Sequence, residues 1–132
     1  MSIGQINIPG SIGELFDKIT ILEIKALRFG EPEKLQNVNH ELALLRALQA
    51  ECGSPDGERL GLVRELRSVN QSLWDIEEKI RDCERRQDFG DDFIELARSV
   101  YKTNDRRAEI KKRLNILHGS DIVEEKSYGP AP

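Results

Sequence analysis

The sequence lacks most of the short motifs that mark a known kind of site. Its two cysteines, Cys52 and Cys83, form no Cys-x-x-Cys pair and no cysteine–histidine cluster, which excludes a zinc finger or a dithiol redox motif. Both fall at apolar positions of helical patterns, where small core thiols are expected. His40 and His118 are far apart and neither sits in a His-Glu-x-x-His frame. There is no glycine-rich phosphate loop and no Gly-x-Ser-x-Gly nucleophile turn. No metal or cofactor is expected from these absences.

Two all-helical enzyme classes can be tested by their own needs. Helical nucleotide pyrophosphohydrolases bind magnesium through Glu-x-x-Glu followed by Glu-x-x-Asp. Glu14 and Asp17 form one Glu-x-x-Asp, but no Glu-x-x-Glu occurs anywhere in the chain. Helical chorismate mutases surround a dicarboxylate with arginines and a lysine, and here Arg67, Asp75 and Arg81 give only a compositional echo.

Long apolar runs are missing too. None approaches the ~20 residues needed to span a bilayer, and Met1 to Gly10 has neither the basic start nor the apolar segment of a secretion signal. A cytoplasmic protein with no membrane contact is the expectation. Aromatic residues are only 5% of the 132-residue chain, and the net charge of −4 argues against a dedicated nucleic-acid binder.

What the chain does have is charge in helical register. Charged residues make up 33% and apolar residues 38%, a balance that suits long amphipathic helices with one apolar stripe each. The expected fold is all-α: one domain, residues 1–132, forming an antiparallel helical bundle of about four helices. Residues 1–10 read as an N-terminal arm, with Ile3, Ile6 and Ile8 suggesting an extended segment.

The first helix is expected over 11–29. Ser11-Ile12-Gly13-Glu14 fits a capping box, and Ile12, Leu15, Ile19, Leu22, Ala26 and Phe29 follow in steps of three and four. Pro32 suits the first turn of a second helix over 32–52. Its stripe is Leu35, Val38, Leu42, Leu45 and Cys52, widened by Leu44 and Leu48.

The third helix, 58–87, carries the clearest pattern. Leu62, Leu66, Val69, Leu73, Ile76, Ile80 and Cys83 repeat in 4-3 steps over three heptads. The fourth, 92–118, repeats Leu96, Val100, Thr103, Arg107, Ile110, Leu114 and Leu117 in the same steps. The short connection between them forces an antiparallel, coiled-coil-like hairpin that dominates the bundle. Residues 120–132 read as a non-helical tail.

One break in this order is informative. Thr103, Asn104 and Arg107 occupy or adjoin seam positions that should be apolar, opposite Asn70, Leu73, Trp74 and Ile76. A buried guanidinium is costly unless paired, and Glu14, Asp17 and Glu23 of the first helix are available partners. Two readings stay open. One is an internal ion pair that fixes register. The other is a cleft in which Arg107, Asn104, Asn70, Trp74, Glu14 and Glu23 hold a small anionic sugar or nucleotide.

Charge is also segregated along the fourth helix. Asp88, Asp91, Asp92 and Glu95 crowd its start, and basic residues gather between Arg98 and Arg113. The helix dipole favours this order by itself. The alternative is an anionic-partner face along Arg98, Lys102, Arg106 and Arg113.

Several blocks carry a resemblance over nearly the full length. They are Ser11-Ile12-Gly13-Glu14-Leu15 with Asp17 to Lys25, Leu73-Trp74-Asp75-Ile76-Glu77, Phe93 to Tyr101, Asn104 to Ala108, and Glu124-Glu125-Lys126-Ser127-Tyr128. With these the chain resembles an uncharacterised family of small all-helical bacterial and phage proteins that brings no established activity. With an apolar stripe on every helix and no recognisable catalytic set, the function expected is a non-enzymatic helical interaction or scaffold protein that self-associates, with a dimer favoured. A binder or enzyme for a small anionic ligand at the polar break is the alternative.

Overall fold

A computed structural model describes residues 3–129, which form four α-helices and no strand. The ends of the expected arm and tail, residues 1–2 and 130–132, lie outside the described residues. Among the described residues no helix is long and apolar enough to cross a membrane.

Helix α1 (Ile12–Arg28) starts where Ser11 Oγ accepts the Glu14 N–H at 3.0 Å. The return half of the expected capping box is absent: the Glu14 carboxylate instead takes a 2.6 Å contact from Lys111. A charged donor outcompetes the backbone N–H for that carboxylate. Helix α2 (Pro32–Ala50) opens with Pro32 in its first turn, where a missing N–H costs nothing. Asp56 caps helix α3 (Gly57–Arg85) through the Arg59 N–H at 2.7 Å. Helix α4 (Asp91–His118) ends at Gly119, whose φ of 61° is the left-handed conformation that closes helices cheaply.

Helices α3 and α4 share the most extensive interface, and α1 lies across both. Near the turn Cys83 and Leu96 line one groove. At the opposite end Leu62 and Leu66 share a core with Ile110 and Leu114. The two helices therefore run in opposite directions, joined by residues 86–90.

The main core contains Phe16 of α1 with Leu62, Leu66, Val69 and Leu73 of α3 and Ile110 and Leu114 of α4. A second cluster joins Ile19 and Leu22 of α1 to Val38 and Leu42 of α2. Arg59 is buried, donating to the Cys52 and Gly53 carbonyls (3.5 and 3.2 Å) and lying 5.0 Å over the Phe16 ring.

Helix α2 corrects one expectation. It packs closely on α1 alone among the helices, so only one of its faces is covered. Val38 and Leu42 are buried, while Leu44 and Leu48, expected to widen the stripe, are 41% and 49% exposed. Ile3, Ile6 and Ile8 of the arm are exposed as well and form no regular element. Cys83 is buried, Cys52 is half-buried, and both are free thiols.

Candidate functional site

The polar break of α4 meets α1 at a single carboxylate. Asp17, one turn inside α1 and 1% exposed, accepts from Arg107 Nε at Oδ1 (2.9 Å) and from Arg107 Nη2 at Oδ2. This is the fork-on-fork geometry that a guanidinium makes best. Asn70 of α3 also donates to Asp17 Oδ1 (3.0 Å), and Lys111 stands 3.6 Å from Oδ2. Three helices are thus joined at one side chain.

Its neighbours complete the network. Asn70 Nδ2 reaches Thr20 Oγ1 at 2.9 Å, and that hydroxyl donates to the Asp17 carbonyl at 2.8 Å. Arg107 Nη1 makes a longer contact to Asn104 Oδ1, 3.4 Å. Burial pushes the Asp17 carboxyl upward, but the hydrogen bonds from Arg107 and Asn70 outweigh it and hold the group below the usual carboxylate range. Hydrogen bonding to Asp17 raises Arg107 in turn, against the effect of burial. The pair is ionised at neutral pH.

The expected site residues therefore divide. Arg107, Asn104, Asn70 and Glu14 converge around Asp17. Trp74 does not: its Nε1 donates to Glu78 at 2.8 Å and its ring meets Phe29, with centroids 5.9 Å apart. Glu23 is also drawn away, toward Arg46 (3.2 Å) and Arg67 (3.9 Å). On the outer face of α4, Arg98 pairs with Glu95 and Arg113 with Glu109, each at 3.3 Å. Lys102 and Arg106 are exposed and have no ion pair among the described residues.

Sequence reasoning passed over a second polar junction. Asn115, 2% exposed, accepts the Gly13 N–H at 2.6 Å and donates to Glu124 of the tail at 3.4 Å. Ser11 Oγ donates to the other oxygen of Glu124 at 2.6 Å, and Ser120 Oγ accepts the Ile12 N–H at 3.2 Å. Two orphan donors at the start of α1, the Ile12 and Gly13 N–H, are satisfied by side chains distant in sequence. Two further pairs, Glu125 to Lys112 (3.4 Å) and Lys126 to Asp105 (2.6 Å), lay the tail back along α4. Polar groups hold it, while Val123 and Tyr128 stay exposed. Ser120 two residues past Gly13's partner helix and the Glu-Glu-Lys run were the only local signals.

Asp17 Oδ1 accepts two hydrogen bonds and Oδ2 one, with Lys111 at 3.6 Å from Oδ2, and among the described residues no group of three or more His, Cys, Asp or Glu could hold a metal ion. Its ion pair and hydrogen bonds join α1, α3 and α4. The chain belongs to the family described as a family of unknown function, DUF6165, which matches residues 6–131. No curated protein and no solved structure matches it.

Proposed function

We propose that the protein is a non-enzymatic helical interaction module that pairs with a second copy of itself through the outer half of the α3–α4 hairpin. The observation that carries this reading is a change in burial along one seam. Leu66 and Leu114, where α1 lies across the hairpin, are 0% exposed. Toward the turn Ile76, Ile80, Leu96 and Val100 are only half-buried, although Cys83 beyond them is 1% exposed. The last ion pairs from α1 to α3 are Arg28 to Asp75 and Glu78, at 2.9 and 3.9 Å. Beyond them two helices stand without a third layer, and a helix pair buries too little apolar surface to be comfortable alone.

The uncovered face continues the covered one. Phe93 and Val100 precede Arg107 by whole heptads, and Ala97 precedes Asn104 and Lys111 in the same way. They therefore lie on the side of α4 that meets α1 lower down. Ala97 and Tyr101 are exposed and Phe93 is half-buried against Phe89, centroids 5.2 Å apart. On α3, Glu77 and Glu84 follow Asn70 by heptads, and Arg81 follows Trp74. That flanking row is self-complementary when two copies meet antiparallel, Glu77 of one facing Arg81 of the other. Two-fold pairing would turn two open hairpins into a four-helix bundle.

Amide hydrogen exchange at a series of protein concentrations tests the reading. Exchange across residues 76–101 is expected to quicken on dilution, while that of residues 62–73 and 107–114 stays constant. Exchange of residues 76–101 that is independent of concentration would overturn it.

A further inference from the structure

The outward side of the Asp17 centre opens on a cleft of about 270 Å³ between α1, α2 and α4. Its lining charges sum to zero but are unevenly committed. Asp17 is committed to Arg107 and Glu14 to Lys111. That leaves Lys18 and Lys25 of α1, which both line the cleft and have no carboxylate within 4.0 Å among the described residues. Opposite them on the α2 wall stands Glu41, also without an ion-pair partner there. Ile21 and Leu22 line the cleft between the two lysines.

Seven residues of helix separate Lys18 from Lys25, about 10 Å along the axis and on the same face. Two ammonium groups at that spacing over an apolar patch match one ligand chemistry well. We propose that this cleft binds a small elongated dianion, an α,ω-diacid whose ends meet Lys18 and Lys25 and whose carbon chain crosses Ile21. Arg107, whose charge is met by Asp17, forms the α4 wall. Glu41 accepts a hydrogen bond from any hydroxyl or ammonium group carried between the two acid ends. This site is separate from the self-association face and does not depend on it.

The spacing works as a ruler, so chain length is the test. Malonate, glutarate and pimelate are titrated at matched ionic strength by calorimetry and by two-dimensional NMR of the full chain. Affinity is expected to rise from malonate to pimelate, with shifts concentrated on residues 18–25. Lys18→Gln and Lys25→Gln are each expected to weaken pimelate about fivefold, as loss of one partly exposed charge contact does. Lys79→Gln, in the separate groove beside Cys83, should leave it unchanged. Circular dichroism confirms that these partly exposed substitutions leave the fold intact. Absence of saturable binding overturns the proposal. So does affinity that ignores chain length, or binding that Lys25→Gln leaves untouched.

Discussion

Asp17 of α1 holds Arg107 of α4 through both carboxylate oxygens, across 90 residues of sequence, while Asn70 of α3 donates to the same carboxylate. Removing one partner strands the other, and the cost depends on which remains. Asp17→Ala leaves a guanidinium with 29% of its side chain exposed, so part of its charge is still hydrated. The full penalty for breaking a buried pair, ~3–5 kcal/mol, is therefore discounted to about 2–3 kcal/mol. Replacing both, as Asp17→Leu with Arg107→Met, should recover at least half of that loss. Urea unfolding of the single and double variants measures it, and a double variant as unstable as Asp17→Ala would show that the pair is not the source.

Gly13 lets α1 touch α4. A Cβ there would collide with the Lys111 carbonyl oxygen and crowd Asn115 Oδ1 at 3.0 Å. Because the obstacle is backbone, relief requires moving a helix. Gly13→Ala is expected to lower stability by about 1–3 kcal/mol despite alanine's better helix propensity. Gly61 is the control: it lies within α3 with nothing within 4 Å of a built Cβ. Gly61→Ala should stabilise by roughly 0.5–1 kcal/mol. Thermal unfolding of the two variants should thus move in opposite directions.

Acid should loosen the α1 start and the polar centre together. Asp17 and Glu124 are each raised by burial and lowered further by their hydrogen bonds, to Arg107 and Ser11 respectively, with a net depression. A carboxylate depressed in the folded state stabilises above its unfolded value, and that contribution disappears as pH falls through the folded value. For Asp17 the ordinary value is 3.8 and for Glu124 it is 4.5. Wild type should therefore exceed Glu124→Gln in stability at pH 7, with the difference fading below about pH 4.5. Denaturant midpoints across this range provide the check, and a difference that widens in acid would reverse the assignment.

The outer face of α2 is assigned no docking role. Leu44 and Leu48 are exposed and neither belongs to a core cluster. Leu44→Gln with Leu48→Gln should change stability by no more than about 0.5 kcal/mol each and leave the association state as in wild type. Light scattering that found the doubly substituted chain monomeric where wild type is not would move the interface to α2.

Much of the fold was legible because it is written in local periodicity. The 4-3 repeat from Leu62 to Cys83 and its counterpart from Leu96 to Leu117 mark α3 and α4; Pro32 opens α2, and Gly90 and Gly119 bound α4. Periodicity says which residues could share a face, not which face acquires a neighbour, so Leu44 and Leu48 read as core and are exposed. Arg107 was legible as an anomaly because it interrupts an apolar seam. Its partner was less so, since a carboxylate on an amphipathic helix usually faces water. In hindsight Gly13, Asp17, Thr20 and Ile24 form their own 4-3-4 stripe of small and polar residues ending in an apolar one. Asn115 with Glu124 had no such signal, because their meeting with Ser11 and Gly13 is set by how the helices cross.

Self-association through the outer hairpin is most directly tested by sedimentation equilibrium of wild type and of Ala97→Glu with Tyr101→Glu, both exposed positions. The account predicts a wild-type mass approaching twice the 15.0 kDa of one chain as concentration rises. The substituted chain, with unchanged helicity, should stay at the single-chain mass. A wild type that remains at 15.0 kDa throughout, or a dimer that both glutamates leave intact, would contradict it.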